Sequence, residues 1–168
     1  MKIIGIDPGL KGAIALLNED GTVHDVIDTP TVVLAKGKKK KNIYDLATLK
    51  KISSVWEEDW IMYMEKMQSM PPGFRVQASF GLGYCQGLFE GIIISLGCKY
   101  ELVISKTWQK HFGITGAKGN KKVQSYMIAS KLFPQVELVT PRGRKLDGRS
   151  DALLIAEWGR RHMQGQIV

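Results

Sequence analysis

The chain contains little cysteine, no long apolar run and fewer acidic than basic side chains. Cys85 and Cys98 are the only cysteines, too few and too far apart for a zinc site or a disulfide framework, so we expect buried thiols. The longest apolar stretch near the middle, residues 91–98, is too short to span a bilayer. The N-terminal apolar run is brief and is interrupted by Asp7, unlike a signal peptide. These absences argue against a membrane protein and predict a cytoplasmic location.

The charge balance indicates the kind of partner. Lys and Arg total 24 against 16 Asp and Glu, which gives a net charge of +8 and a pI near 9.5. A basic surface attracts polyanions, and nucleic acid is the commonest one in cytoplasm. Simple solubility is the alternative, but the basic residues are clustered, which favours nucleic acid. With 44% hydrophobic residues, we expect residues 1–168 to form one domain with a core.

Apolar runs and turn signals predict a mixed α/β fold. Three strands at 2–7, 12–17 and 22–28 with short turns are typical of an antiparallel meander. The rest of the chain predicts two further strands, at 60–65 and 100–103, among helices that begin near residues 46, 78, 105, 121 and 147. This order indicates a five-stranded mixed sheet with helices on both faces. No strand is predicted in the lysine-rich stretch 35–42, and residues 67–77 are predicted to be a loop.

Four acidic residues lie where such a sheet would bring them together. Asp7 and Glu65 each end an apolar strand, and functional sites in these sheets form at the carboxyl ends of strands. Asp147 and Asp151 begin the last helix. Like charges repel, so a fold that collects these carboxylates needs a cation between them, and hard cations such as Mg²⁺ prefer oxygen ligands. A pair of Mg²⁺ ions held in this way is suited to cutting phosphodiesters.

Each acid also has an ordinary structural interpretation. Asp7 precedes Pro-Gly in a turn, and Glu65 is placed to pair with a lysine. Asp151 would complement the helix dipole and Asp147 would cap the helix. Their shared location at one sheet edge favours the metal site.

The segments around these acids resemble a known family. Ile-Gly-Ile-Asp7-Pro-Gly, Met-Glu65 after a strand, and Asp151-Ala-Leu-Leu-Ile-Ala together are similar to RuvC-like Holliday junction resolvases of the bacteriophage and organellar branch, which have the RNase H-like superfold. The first motif alone also occurs in sugar kinases and actin-like ATPases. Those proteins need a second similar domain and a further glycine-rich phosphate loop, for which this chain has no room, so we expect no nucleotide cofactor.

The resemblance implies a set of site residues. Four carboxylates would bind two Mg²⁺ ions, or Mn²⁺ in their place, with Asp7 on both ions, Glu65 on one and Asp151 on the other. Bacterial members usually carry the fourth acid three residues before the last one, where this chain has Gly148. Asp147 lies four residues before Asp151, still on the same helix face, and is expected to substitute unless it lies outside the metal site as a cap. Of two neighbouring lysines, one is expected near the scissile phosphate, namely Lys121 or Lys122.

Further basic and aromatic residues are candidate DNA contacts, since each neutralised phosphate releases counterions. Phe74 and Arg75 follow Glu65 in the loop that family members use to probe the junction centre, where an exposed ring can stack on a base; the alternative is a ring packed onto the core. The remaining candidates are Lys36, Lys38, Lys39, Lys40, Lys41, Lys118, Lys121, Lys122, Arg142, Arg144, Lys145 and Arg149. An ordinary solvated loop or helix start explains the same lysines without function.

Three glycines, Gly83, Gly87 and Gly91, recur at intervals of four in the predicted helix 78–97. Glycine costs a helix up to about 1 kcal/mol relative to alanine, so the row suggests the close approach of another backbone. That backbone is either the sheet beneath or the same helix of a second subunit, which is where the family places its dimer interface.

The sequence therefore predicts a homodimeric endonuclease that cuts four-way junctions symmetrically, with 5′-phosphate and 3′-hydroxyl products. A broader nuclease for Y-forks and other branched DNA is one alternative. A junction-binding protein without catalysis is another. The short basic chain and the altered spacing of the fourth acid favour a phage source, with the protein in the cytoplasm of a bacterial host.

Overall fold

A computed structural model describes residues 1–37, 39–68 and 76–167. Its elements, in chain order, are β1 (Lys2–Asp7), β2 (Ala13–Asn18), β3 (Val23–Asp28), β4 (Thr31–Lys36), β5 (Lys39–Tyr44), α1 (Leu46–Ser53), β6 (Ile61–Glu65), α2 (Val76–Ser95), β7 (Lys99–Val103), α3 (Ser105–His111), α4 (Lys118–Leu132) and α5 (Asp147–Met163).

Five strands form the main sheet in the order β3-β2-β1-β6-β7. The pairs β1–β2 and β2–β3 are antiparallel, whereas β1–β6 and β6–β7 are parallel. The predicted five-stranded mixed sheet is thus confirmed. In the β1–β6 register Ile6 lies opposite Met64, so the next residues, Asp7 and Glu65, end adjacent strands at the same edge.

The two faces of the sheet carry separate apolar layers, because alternate residues of a strand point to opposite sides. Ile4 and Ile6 pack with α1 and α2, whereas Ile3 packs with α3, α4 and α5. Gly5 lies directly under α5, where an added Cβ would collide with the backbone of Ala152 and Ala156. Only glycine allows this close approach, and it brings the start of α5 over the end of β1.

The structure corrects the prediction for residues 31–44. Residues 31–36 and 39–44 form a two-stranded antiparallel ribbon, β4–β5, that is separate from the main sheet. The lysine-rich pattern concealed the strands because a ribbon exposed to solvent needs no apolar alternation, while the Val32-Val33 pair supplies β propensity. Helices α2 and α4 begin at Val76 and Lys118, slightly earlier than predicted. In the described part of the chain, no helix has both the length and the apolar character that a membrane crossing requires.

Candidate active site

The four predicted acids converge on one edge of the sheet. Asp7 and Glu65 end β1 and β6, and Asp147 and Asp151 lie in the first two turns of α5. α5 reaches this edge because its buried stripe, from Ala152 onward, packs across β1 and β2. Sequence segments more than 50 residues apart are thereby brought to one place, as the strand-end argument predicted.

Burial and neighbouring acids disfavour the charged forms of Asp7 and Asp151. Burial, followed by the charges of Asp151 and Glu65, raises the pKa of Asp7 well above its usual value of 3.8. Burial, with a contribution from the charge of Glu65, raises the pKa of Asp151 to about 7, although a hydrogen bond with Ser125 acts in the opposite sense. Both carboxyl groups are thus poorly compensated by the protein itself, and a cation would relieve their repulsion.

Two side chains of α3 donate hydrogen bonds to the carboxylate of Glu65. The Ser105 hydroxyl donates to one carboxylate oxygen at 2.7 Å and the Trp108 indole N–H donates to the other at 3.1 Å. Trp108 is fully buried, so this orientation is fixed by packing. Sequence reasoning missed both donors. The sequence feature that could have indicated these donors is a Ser and a Trp three residues apart on the helix that follows β7. The end of β7 lies at the same sheet edge as Glu65.

A pocket of about 390 Å³ adjoins the acids and is rich in lysine. Glu65 and Asp151 line it together with four lysines, Lys106, Lys118, Lys121 and Lys122. Three of these lysines were predicted as phosphate contacts, and Lys106 was not. A cavity lined by both carboxylates and ammonium groups suits a phosphate bound through a metal ion.

The two candidate lysines of α4 have different partners. Lys121 donates to the side-chain oxygen of Gln109 at 3.0 Å. Lys122 forms an ion pair with Asp147 at 2.6 Å, and this hydrogen bond raises the pKa of Lys122. Lys122 is therefore the lysine in direct contact with the acid cluster, whereas Lys121 lies on the pocket wall.

The backbone around Gly148 excludes a side chain three residues before Asp151. A Cβ at residue 148 would collide with the carbonyl of Lys11 and the backbone of Gly12 in the β1–β2 turn. No acidic side chain fits there. Asp147, one residue earlier, has its side chain about one-third exposed and is free of that contact.

The donor set fits a hard divalent cation by its chemistry, since all four candidates are carboxylates. As the side chains stand, no three Asp, Glu, His or Cys residues within 1–37, 39–68 and 76–167 form a group that could hold a metal ion. Asp147 is engaged by Lys122 and Glu65 by α3. Metal binding would thus require the carboxylates to close on the ion.

The other predicted DNA contacts lie in several environments. Arg149 forms a bidentate ion pair with Asp28 at 2.7 and 3.1 Å and donates to the Glu137 carbonyl at 3.1 Å. These contacts link α5 to β3, and this placement does not support a DNA contact. Lys145 lies over the Tyr126 ring at 4.7 Å. Lys39, Lys40, Lys41, Lys118, Arg142 and Arg144 are exposed. The predictions for Lys38, Phe74 and Arg75, and for the side chain of Lys36, lie outside the described residues.

The glycine row of α2 faces away from the protein. Gly83, Gly87 and Gly91 are exposed, and a Cβ added at any of them would meet nothing within 4 Å. The interpretation that these glycines admit the sheet beneath is therefore wrong. Both cysteines are buried, as predicted, and the Cys85 thiol donates to the Pro8 carbonyl at 2.7 Å.

Comparison with known proteins supports the fold. The Thermus thermophilus RuvC structure superposes with a TM-score of 0.54 at 15% identity, covering 99% of this chain and 98% of that one. Thermus thermophilus RuvC in complex with Holliday junction substrate gives a TM-score of 0.54 at 13% identity, with the same coverage. The chloroplastic Holliday junction resolvase MOC1 of Chlamydomonas reinhardtii is 32% identical over 96 residues, which are 57% of this chain and 10% of the relative. No family model matches the chain.

These likenesses first define the class: an α/β protein with the RNase H-like fold. Within that class the chain has the fold of RuvC, and a segment of 96 residues is similar in sequence to a Holliday junction resolvase. The match covers only 10% of the length of the chloroplast relative, so it does not transfer the activity or the partners of that protein to this chain.

Proposed function

We propose that the protein is a structure-selective DNA endonuclease that resolves four-way junctions by two symmetric, metal-dependent cuts. The observation that carries the proposal is the convergence of Asp7, Glu65, Asp147 and Asp151 at one sheet edge, beside a lysine-lined pocket. The substrate class is supported by the RuvC-like fold, which is also found in a complex with Holliday junction substrate, and by the net charge of +8. The products would carry 5′-phosphate and 3′-hydroxyl ends.

Two Mg²⁺ ions, with Mn²⁺ as a substitute, would be held by these four carboxylates. When bound, such ions activate water and stabilise the leaving 3′-oxygen. The protein supplies the orientation: Ser105 and Trp108 each donate a hydrogen bond to Glu65, which also lines the pocket. Burial and, to a smaller extent, the neighbouring acids raise the pKa values of Asp7 and Asp151, and a bound cation would offset both effects.

The pocket lysines would bind the scissile phosphate. Lys122 is in hydrogen-bond contact with Asp147, and a phosphate in the adjoining pocket offers its ammonium group a second acceptor. Lys121, held toward the pocket by Gln109, would contact the same phosphate or its neighbour. Positive charge at this position offsets the negative charge that develops on the phosphate in the transition state.

A homodimer fits the substrate, because two symmetric cuts need two sites related by a two-fold axis. α2 presents one exposed face along its length, made of Phe80, Tyr84, Gly87, Gly91 and Ile94. The glycines leave room for a second helix. Gly87→Arg fills only open space in the monomer, so it should abolish dimerisation without loss of fold. Light scattering after size exclusion measures the oligomeric state. A dimer of unchanged stability would contradict the proposed interface.

The first experiment compares a labelled four-way junction, a Y-fork and linear duplex in Mg²⁺ and in EDTA. Paired symmetric nicks in the junction alone, lost in EDTA and in Asp7→Asn, support the proposal. Asp59→Asn removes the same charge from the opposite sheet edge and serves as the matched control, which should cut normally. Equal cutting of the Y-fork would replace the proposal with a general branched-DNA nuclease. Binding without cutting would leave a junction-binding protein.

A further inference from the structure

The β4–β5 ribbon stands apart from the main sheet. Its pairing runs from Thr31 opposite Tyr44 to Lys36 opposite Lys39. Six residues per strand make it about 20 Å long. A two-stranded ribbon of this size is marginal in water unless it packs on something. The two strands, here called the arm (residues 31–44), are largely exposed toward their tip.

The base of the arm is fixed at the edge that carries the acids. β3 ends there, with Asp28 paired to Ala13 beside the end of β1, and the Thr29 N–H donates to the Gly12 carbonyl at 3.0 Å. The base closes where the Asp45 N–H donates to the Pro30 carbonyl at 2.9 Å.

On the far strand, the ring of Tyr44 packs against that of Tyr84 at 6.0 Å. The next residue of α2, Cys85, bonds the carbonyl of Pro8, the neighbour of Asp7. The direction of the arm is therefore set by contacts next to the first acid of the site.

The charge of the arm is of one sign. Between Asp28 and Asp45 the sequence contains five lysines and no Asp or Glu. Lys39, Lys40 and Lys41 follow one another along β5, so they point alternately to the two faces of the ribbon, and all three are exposed. A strand that offers ammonium groups on both faces is suited to phosphates on both sides.

The partner strand of the arm is apolar. Val32, Val33 and Leu34 of β4 are 44%, 61% and 55% exposed. Leu34 lies opposite Lys41 and Val33 opposite Asn42, so each face combines an aliphatic and a polar side chain. The major groove of B-DNA is about 12 Å wide and admits a two-stranded ribbon, with apolar groups against base edges and cations against the flanking phosphates. A second copy of the chain is a poorer occupant, since it would place one lysine-rich strand against another.

The arm and the lysine pocket approach the acids from opposite faces of the sheet. Tyr44 packs in the layer formed by α1 and α2, whereas Trp108 at the pocket packs in the layer formed by α3, α4 and α5. The acids lie at the edge between the two layers. A duplex whose scissile phosphate reaches the acids therefore meets positive charge on both sides.

We propose that the arm occupies the major groove of the duplex that flanks the cut, with the lysines of β5 on the phosphates of both strands and the side chains of β4 toward the base edges. This inference rests on the proposed function only in that the partner is DNA. The arm would then bind the flanking duplex and not the junction centre.

The first test measures binding in EDTA, so that it does not depend on cutting. Lys39→Gln/Lys40→Gln/Lys41→Gln is compared with a control of equal charge, in which the exposed lysines Lys51, Lys99 and Lys131, away from the acidic edge, are changed to Gln. Loss of three phosphate contacts should reduce the slope of log K against log salt by about 2.7 and weaken junction binding roughly 10- to 100-fold near 0.1 M salt. The control should keep the wild-type slope. Equal slopes for the two triple variants would overturn the proposal.

The second test locates the arm on the DNA. Because Cys85 and Cys98 are buried, Val33→Cys provides a single accessible thiol for an iron–EDTA label. Strand scission should centre on one major groove within about one helical turn of the position where the acids lie, and Asp59→Cys, at the opposite edge, should give none there. Scission at the junction centre, no scission, or cross-linking between two protomers would each refute the placement. Failure of cutting by the wild type would remove the endonuclease proposal and leave these readouts intact.

Discussion

Ionisation of Asp151 should lower the free energy of unfolding of the metal-free protein. Burial and neighbouring acids raise its pKa from 3.8 to about 7, so the folded protein holds the proton more tightly than the unfolded chain. The contribution of Asp151 to stability is therefore greatest at low pH, falls as the pH rises from about 4 toward 7, and stays low above that. Since one pKa unit corresponds to about 1.4 kcal/mol, ionised Asp151 lowers the free energy of unfolding by up to roughly 4 kcal/mol at pH 8.

Asp151→Asn removes the charge and keeps the shape. In EDTA we expect the variant to match the wild type near pH 4 and to exceed it by up to roughly 4 kcal/mol at pH 8. Urea unfolding at intervals between pH 4 and pH 8 measures the difference. Asp59→Asn, at the opposite sheet edge, controls for the loss of one acid and should show no comparable rise. A difference between Asp151→Asn and the wild type that is the same at pH 5 and pH 8 would refute the electrostatic argument.

Added metal should narrow the difference in the free energy of unfolding between Asp151→Asn and the wild type. A ligand at 100 times its Kd stabilises the folded state by about 2.7 kcal/mol. Mg²⁺ should therefore stabilise the wild type at pH 8 and should have little effect on Asp151→Asn, which lacks one of the carboxylates. The same variant should be inactive on junctions, so greater stability without metal would accompany loss of cutting. Equal stabilisation of both proteins by Mg²⁺ would place the metal elsewhere.

Three further outcomes are expected. Ser105→Ala leaves Glu65 with one of its two hydrogen bonds, so Mn²⁺ affinity by calorimetry should fall about 10-fold with the fold intact; unchanged affinity would mean that Ser105 does not orient the carboxylate. Lys122→Ala should slow junction cutting roughly 100-fold at saturating DNA, and an undiminished rate would exclude it from the phosphate site. Gly148→Ala should lower the free energy of unfolding by about 1–3 kcal/mol because its methyl group meets backbone, whereas Gly87→Ala, in open space, should not.

The strands of the main sheet could be predicted from the sequence because the signals are local. Each strand is an apolar run bounded by turn residues, and the meander of β1, β2 and β3 needs only short turns. The position of Asp7 and Glu65 followed from the same reasoning, since both residues end strands that proved to be parallel neighbours. The family resemblance supplied Asp151 as their partner.

The arm was missed because its stability does not come from a local pattern. β5 contains three successive exposed lysines, which show no alternation of apolar and polar residues. It becomes a strand because β4 lies opposite it and because Tyr44 at its base packs on α2. The contacts of β5 with β4 and α2 make a strand of a segment whose composition predicts a solvated loop.

The sequence by itself placed Asp7 and Glu65 at strand ends and Asp147 and Asp151 at the start of a helix, since strand ends and helix starts are set by local periodicity. Only the tertiary structure decided how those acids are held. Trp108 donates to Glu65 across 43 positions of sequence, and Lys122 pairs with Asp147 across 25. The close packing of α5 on the β1–β2 turn leaves Gly148 no room for a side chain, so no acid can lie three residues before Asp151. Such contacts depend on the relative placement of whole elements, which no local pattern encodes.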